Sequence, residues 1–146
     1  MHKLIALAIV ALITVLAGFS NATQIVYDDS LCAPTRSLYT VSCSTGTNGL
    51  VTRGYSTLSS LPSFPTVGGF PGVGYNSTNC GGCYEVRYLP NGRAFNFTAV
   101  NDGGPTQAVL CTDEFLRLTG FTRENVPDNV QADIRAVPAS GCGFTE

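Results

Sequence analysis

The residue best placed to do chemistry in this chain is Asp102, in the segment Val100-Asn101-Asp102-Gly103-Gly104. It follows an alternating segment that predicts a strand, and the two glycines leave its carboxylate approachable. Such a carboxylate accepts hydrogen bonds from sugar hydroxyls or serves as a general acid. The competing interpretation is a turn aspartate that binds its own backbone, and the residues alone favour this simpler role.

A hydrolytic role for Asp102 would require a second carboxylate. Hydrolysis of a glycosidic bond normally uses two carboxyl groups at a set distance across the scissile bond. The candidates are Asp28, Asp29, Asp113, Asp128 and Asp133. Their spacing selects none of them, so the sequence predicts no catalytic residue.

The single histidine and the single lysine, His2 and Lys3, begin a segment typical of a secretory signal peptide. The apolar stretch 4–19 follows them, and Ser20-Asn21-Ala22 supplies the small residues that a signal peptidase reads. We therefore expect residues 1–22 to be a signal peptide, too short for a membrane span, and residues 23–146 to form one secreted domain. A mature chain without histidine or lysine has no Ser-His-Asp relay, imidazole metal ligand or Schiff base. We expect neither a metal nor a cofactor.

Charge and composition limit the class of partner. The mature part holds seven arginines and ten acidic residues, a formal net charge of −3. The arginines are scattered, so the chain lacks the basic cluster needed to bind nucleic acid. Many Gly, Ser, Thr and Asn residues indicate a neutral, hydrogen-bonding surface suited to uncharged polar partners.

Six cysteines follow the leader: Cys32, Cys43, Cys80, Cys83, Cys111 and Cys142. An even number in an exported chain predicts three disulfides, although spacing alone does not assign the pairs. A redox or zinc role for the Cys80–Cys83 motif is the alternative. Export, the lack of a second such motif and the lack of histidine disfavour it.

The elements that must position these residues are mostly strands. Short segments rich in β-branched and aromatic residues predict strands at 24–28 and 36–42. From Ser59 to Cys83, alternating prolines and glycines predict an irregular stretch without helix or long strand. We expect its apolar residues to pack onto the sheet or barrel beneath, the alternative being a platform for a ligand; they are Leu61, Phe64, Val67 and Phe70.

The second half of the chain carries stronger local signals. Alternation in Tyr84–Leu89 and Ala94–Val100, joined by Asn91-Gly92, predicts a β-hairpin. Thr112 is the predicted N-cap of a short helix that stops at Gly120. Alternation at 130–136 predicts a final strand. The fold class is therefore mostly β with one or two short helices.

Glycosylation sequons occur at three positions. Asn21 lies in the expected leader, Asn76 in the irregular stretch, and Asn96 on the polar face of a predicted strand. Either of the last two could carry a glycan in an exported protein.

Several motifs occur in one order along the chain: Tyr27-Asp28, Cys43-Ser44-x-Gly46-x-Asn48-Gly49-Leu50, Leu61-Pro62-x-Phe64-Pro65-x-Val67-Gly68-Gly69, Cys80-x-x-Cys83 and Cys142. The combination covers residues 25–144 and resembles the cerato-platanin family of small secreted fungal proteins. The resemblance implies a six-stranded double-psi β-barrel, also found in expansins and some endoglucanases. It also implies location outside the cell or in the cell wall.

The resemblance further implies a function. The family is known for binding chitin and N-acetylglucosamine oligomers, loosening polysaccharide networks without clear hydrolysis, and eliciting plant defence. Expected partners are therefore chitin or other polysaccharide oligomers, and plant host receptors. We expect a monomer that self-assembles at interfaces. The alternatives are a weak glycoside hydrolase or expansin-like enzyme on the same barrel, and a surface-active structural wall protein.

Residue by residue, the resemblance implies the disulfides Cys43–Cys80 and Cys83–Cys142. Cys32 and Cys111 lie outside the family pattern, and as the remaining thiols of an exported chain they are expected to form a third disulfide.

The resemblance implies that Asp102 corresponds to the aspartate that family members place in a shallow surface groove. Its expected neighbours are Asn48, Asn101, and an aromatic residue such as Tyr27 or Tyr84. Tyr84 stands where many members have tryptophan. The chain also has Gln107-Ala108-Val109 where the family usually has Gly-Phe-Asn.

Overall fold

The fold is a closed β-barrel, seen in a computed structural model that describes residues 22–145. Its strands are β1 (Ala22–Asp28), β2 (Val67–Phe70), β3 (Cys83–Tyr88), β4 (Arg93–Asp102), β5 (Gln107–Cys111) and β6 (Val130–Val137). One α-helix, α1 (Thr112–Thr119), follows β5. The expected signal peptide falls outside the described residues, except for Ala22 at the start of β1. Within residues 22–145, no helix is long and apolar enough to cross a membrane.

The strands close in the order β1-β5-β2-β4-β3-β6, with β6 returning to β1. Two neighbouring pairs are parallel, β1 with β5 and β2 with β4, and the other pairs are antiparallel. This closed six-stranded architecture confirms the mostly β fold predicted from the residues and the six-stranded barrel implied by the resemblance.

Alternating side chains fill the interior of the barrel. Ile25 of β1, Val86 of β3 and Phe97 of β4 are fully buried. Because successive side chains of a strand point to opposite faces, the intervening residues face outward. The hairpin of β3 and β4 and the final strand β6 match the predicted elements within two residues at each end.

The helix was also predicted, but its start was wrong by one residue. The N-cap is Cys111, and Thr112 is the first helical residue. Phe115 and Leu118 bury one face of the helix, and Gly120 ends it in the left-handed conformation with φ +82°. The disulfided Cys111 at the end of β5 fixes the point where the chain turns into the helix.

The strand predicted at 36–42 is wrong. The chain instead forms a 3-10 turn over Leu38–Thr40, where the Ser37 side chain accepts a hydrogen bond from the Tyr39 amide at 3.2 Å. Leu38 is fully buried below this turn. A local serine cap and one buried leucine therefore outweigh the β-propensity of the segment.

The irregular stretch 59–83 packs onto the barrel as expected, but its centre forms β2. Leu61 and Val67 are buried, and Phe64 and Phe70 pack half-buried against the core. β2 lies between β4 and β5. Strand β5 had no counterpart among the predicted elements.

Three disulfides tie the loops to the barrel. They join Cys32 to Cys111, Cys43 to Cys80 and Cys83 to Cys142. These are the two pairs implied by the resemblance and the third pair expected from the remaining cysteines. The Cys80–Cys83 motif is therefore divided between two disulfides and forms neither a redox pair nor a zinc site.

Candidate functional site

A β-bulge sets the direction of the Asp102 segment. Strand β2 pairs Gly68 with Ala99 but Gly69 with Asn101, so Val100 is the extra residue of β4. A bulge bends its strand and re-aims the side chains that follow. The next pair in register joins Phe70 to Asp102, so the backbone of half-buried Phe70 lies next to that of Asp102 at the strand end.

Asp102 occupies a tight, glycine-dependent turn. Its Oδ1 accepts a hydrogen bond from the Gly104 amide at 2.9 Å, and Gly104 has φ +91°. Gly103 has no room for a Cβ because the Gln107 carbonyl oxygen fills that space. Asp102 is therefore a turn aspartate that binds its own backbone, as the simpler interpretation of the sequence proposed.

The same turn leaves half of the carboxylate available. Asp102 is exposed, and within residues 22–145 nothing donates a hydrogen bond to its Oδ2. The contact with Gly104 fixes how the carboxylate is oriented, and Oδ2 remains free to accept a hydrogen bond. A turn function and a ligand function are compatible at this residue.

Ser42 holds the neighbouring amide in place. The Asn101 Oδ1 accepts hydrogen bonds from the Ser42 amide at 2.8 Å and the Ser42 hydroxyl at 2.7 Å. The Ser42 oxygen also accepts from the Asp102 amide at 3.2 Å. The next residue, Cys43, donates its amide to the Val100 carbonyl at 3.1 Å and is anchored by its disulfide. Asn101 and Asp102 thus form one rigid polar unit.

The structure corrects the role expected for Tyr84. Its side chain is only 7 % exposed, and its ring stacks on Phe70 with centroids 4.1 Å apart. Burial also raises the pKa of its phenol. Tyr84 therefore supports Phe70 from inside the barrel, because a ring packed there has no face for a sugar. Phe70 is the aromatic residue next to Asp102.

Tyr27 and Asn48 are not joined to Asp102 by any contact. Tyr27 lies on β1, which is separated from β4 by two strands in either direction around the barrel, and its ring packs on Phe115 at 4.9 Å. Asn48 makes two hydrogen bonds to Asn76. Its backbone N–H donates to Oδ1 at 3.0 Å, and its Nδ2 donates to the backbone carbonyl at 2.9 Å. Of the four expected neighbours, the structure places Asn101 directly at the carboxylate.

Two exposed tyrosines on adjoining loops were missed by the sequence analysis. Tyr75 is 66 % exposed, and its hydroxyl lies 3.4 Å from that of Thr45. Tyr39 is equally open, three residues before Ser42. The sequence analysis predicted a strand for the segment of Tyr39 and a stretch packed on the barrel for that of Tyr75. Nothing in the sequence therefore indicated that these two side chains are exposed.

Three of the other carboxylates are held by arginines away from Asp102. Arg123 binds Asp113 at 2.8 Å and Asp29 at 3.2 Å, beside the helix. The Thr112 hydroxyl and this guanidinium hold the pKa of Asp29 below its usual range. Between the neighbouring strands β3 and β6, Arg135 binds Glu85 at 3.1 Å and lowers the pKa of that carboxyl.

Asp28 and Asp133 are also remote from the Asp102 turn. Asp28 caps the 3-10 turn at 29–32 by accepting from the Ser30 amide at 2.7 Å. Asp133 shares a row of the barrel with Arg87 and Ala94, at the far end of β4. In the described part of the chain, no contact connects a second carboxylate to Asp102.

The fold and the site together define a class: a small, disulfide-linked double-psi barrel with one exposed, rigidly held carboxylate. Comparison with known proteins agrees with this class. The family profile described as Cerato-platanin matches residues 23–144. The chain belongs to the cerato-platanin family, as the order of its motifs indicated.

Relatives and solved structures support the assignment. The chain is 38 % identical over 110 residues to "Cerato-platanin" of Ceratocystis fimbriata f. sp. platani, covering 75 % of this chain and 79 % of the relative. It is 41 % identical over 86 residues to "Allergen Asp f 15 homolog" of Arthroderma benhamiae, covering 58 % of this chain but only 42 % of that longer relative.

Two solved structures are similar over most of the barrel. The crystal structure of cerato-platanin 1 from M. perniciosa has a TM-score of 0.75 at 33 % identity, covering 83 % of this chain and 99 % of that one. The solution structure of the fungal elicitor Cerato-Platanin has a TM-score of 0.67 at 31 % identity, covering 82 % and 95 %.

Proposed function

We propose that this protein is a secreted, non-catalytic carbohydrate-binding protein that acts on cell walls and takes N-acetylglucosamine oligomers of chitin at Asp102. The observation that carries the proposal is the Oδ2 of the exposed residue Asp102, which accepts no hydrogen bond within residues 22–145 and whose carboxylate is oriented by the hydrogen bond from Gly104 to Oδ1. A preoriented carboxylate oxygen accepts a sugar hydroxyl with little loss of side-chain entropy.

The groups around Asp102 suit a neutral, polar ligand. Half-buried Phe70 is the aromatic residue paired with Asp102 between β2 and β4, and Asn101 is held beside Asp102 by Ser42. Sugar rings combine apolar faces with hydroxyl edges, so an aromatic residue next to a fixed acceptor matches their chemistry. An acetamido sugar also offers an N–H donor that neutral polyols lack.

Within residues 22–145 no second acid contacts Asp102, and this supports binding rather than hydrolysis. Proteins of this family are generally non-enzymatic. A glycosidase needs its two carboxyl groups within about 5–9.5 Å of each other. The acids near the helix and the barrel wall are tied to Arg123 and Arg135 instead.

The same proposal extends to recognition by plants. One similar structure carries the description "fungal elicitor". We propose that this chain likewise elicits plant defence, with chitin fragments or a host receptor as partner. Infiltration of leaves with the purified protein and with the Asp102→Asn variant separates an effect of the site from an effect of the barrel surface.

Sedimentation with insoluble polysaccharide tests the proposed ligand class. The purified protein is mixed with chitin or with cellulose, and the bound fraction is measured together with the release of reducing ends. We expect retention on chitin without reducing ends. Retention on neither polymer would overturn the carbohydrate-binding proposal, and sustained release of reducing ends would replace it with the hydrolase alternative.

A further inference from the structure

Of the two sequons in the described chain, the structure separates one that can carry a glycan from one that cannot. Asn76-Ser77-Thr78 lies in the turn-rich loop before β3, whereas Asn96-Phe97-Thr98 lies in β4. We propose that Asn76 is the N-glycosylation site of this protein and that Asn96 is unmodified in the folded, secreted form.

The amide of Asn76 faces outward with its nitrogen free. Its Oδ1 accepts the Asn48 backbone N–H at 3.0 Å, and because that N–H can only donate, the orientation of the amide is fixed. The oxygen also lies 2.7 Å from the place that a Cβ on Gly46 would take, so this side of the amide faces protein. Nδ2, on the opposite branch, has no partner among residues 22–145 and is the atom to which a glycan attaches.

The backbone around Asn76 is suited to modification. Asn76 has φ +57°, a left-handed turn conformation that asparagine tolerates, and both Asn76 and Thr78 are exposed. An N-linked sugar replaces one hydrogen on Nδ2 and leaves Oδ1 free to accept. The bond to Asn48 that anchors the loop therefore survives glycosylation.

Asn96 has the opposite arrangement. Its Nδ2 donates to the Gly141 carbonyl at 3.0 Å and lies 2.9 Å from the place of a Cβ on Gly141. That glycine immediately precedes Cys142, whose disulfide with Cys83 closes this end of the barrel. A sugar ring on Nδ2 would occupy the space of this last turn.

The third residue of the Asn96 sequon is inaccessible as well. Thr98 is fully buried, and its hydroxyl lies 2.6 Å from that of Ser63. The sequon is therefore open to an oligosaccharyltransferase only before β4 is paired. Chains glycosylated at Asn96 would not complete the barrel, so secreted protein should lack them.

The experiment is site mapping on the full chain secreted from a yeast host with its own N-terminal segment. The secreted protein is deglycosylated with peptide N-glycosidase in H₂¹⁸O, which marks each formerly occupied asparagine as a labelled aspartate. We expect the label at Asn76 and none at Asn96. An unlabelled Asn76, or label at Asn96 in the secreted protein, would overturn the proposal.

Matched variants test the sequon itself. Thr78→Ala removes the hydroxyl that the transferase reads, while Thr78→Ser and Ser77→Ala keep the sequon intact. Thr78→Ala should lose the whole glycan mass, and the two controls should retain it. A glycan that persists in Thr78→Ala contradicts the assignment, and the wild-type label decides it if this variant is not secreted.

Discussion

Removal of the Cys32–Cys111 disulfide should cost much of the stability of this domain. The bond joins the turn after β1 to the end of β5, where helix α1 begins, and its cysteines are separated by 79 residues. For a closed loop of that length the chain-entropy relation gives about 4.5 kcal/mol at 25 °C. Loss of a native disulfide from a small secreted domain typically costs 2–5 kcal/mol, so we expect about 2–4.5 kcal/mol for Cys32→Ala/Cys111→Ala.

This free energy corresponds to a large shift in melting temperature. An unfolding entropy of about 2.1 cal/mol/K per residue amounts to about 0.26 kcal/mol/K over residues 23–146. The double variant should therefore melt roughly 8–17 °C below the wild type. Because the chain has no tryptophan, far-ultraviolet circular dichroism or calorimetry is the suitable measurement.

The single variants provide the control. Cys32→Ala and Cys111→Ala each break the same bond, so each should lose nearly the full amount, and the double variant should lose little more. A strictly additive result would mean that packing at the buried Cys111, rather than the bond, carries the effect. A loss below about 1 kcal/mol, or two free thiols in the denatured, unreduced wild type, would refute the reasoning.

Three further results are expected. The melting temperature should fall as the pH drops from about 5 to 3, because the pKa values of Asp29 and Glu85 are lowered in the fold. The stability that these two carboxylates contribute is present above the usual carboxyl pKa range and is lost when they are protonated. A melting temperature that stays constant or rises on acidification would contradict these ion pairs. Gly103→Ala should lower the free energy of unfolding, measured by chemical denaturation, by about 1–3 kcal/mol because the new Cβ meets the Gln107 carbonyl. Gly74→Ala is the control and should lose much less, because the space around Gly74 is open. Equal losses in the two variants would count against the tight turn. Reducing-sugar assays on chitin and cellulose should show no sustained hydrolysis, and activity that disappears in Asp102→Asn would show that the site is catalytic.

The sequence predicted those parts of the barrel whose signals are local. The hairpin of β3 and β4 follows from alternation and from Asn91-Gly92, and the helix stop follows from Gly120. β2 has no such signal, because Gly68 and Gly69 lack side chains that favour a strand. The strand fits between β4 and β5 because Gly68 has no Cβ, which would meet the Val109 carbonyl.

The candidate site was predictable in its central residue but not in its surroundings. Asp102 was evident from a strand end followed by two glycines. The contact of Ser42 with Asn101 spans 59 positions, and no pattern in either segment indicates it. The resemblance led us to expect Tyr84 as one possible aromatic neighbour of Asp102, whereas the ring of Tyr84 is buried and stacks on Phe70. Non-local pairing therefore decides which aromatic residue lies next to Asp102.

The most direct test of the account is isothermal titration of N-acetylglucosamine oligomers into the wild type and Asp102→Asn. Asparagine keeps an oxygen that can accept from Gly104 while removing the charge, so the turn should persist and the melting temperature should change little. Loss of a hydrogen bond to a charged group costs about 1.5–3 kcal/mol, so we expect affinity to fall roughly tenfold or more. Equal affinity of the two proteins would contradict the claim that Asp102 binds the sugar.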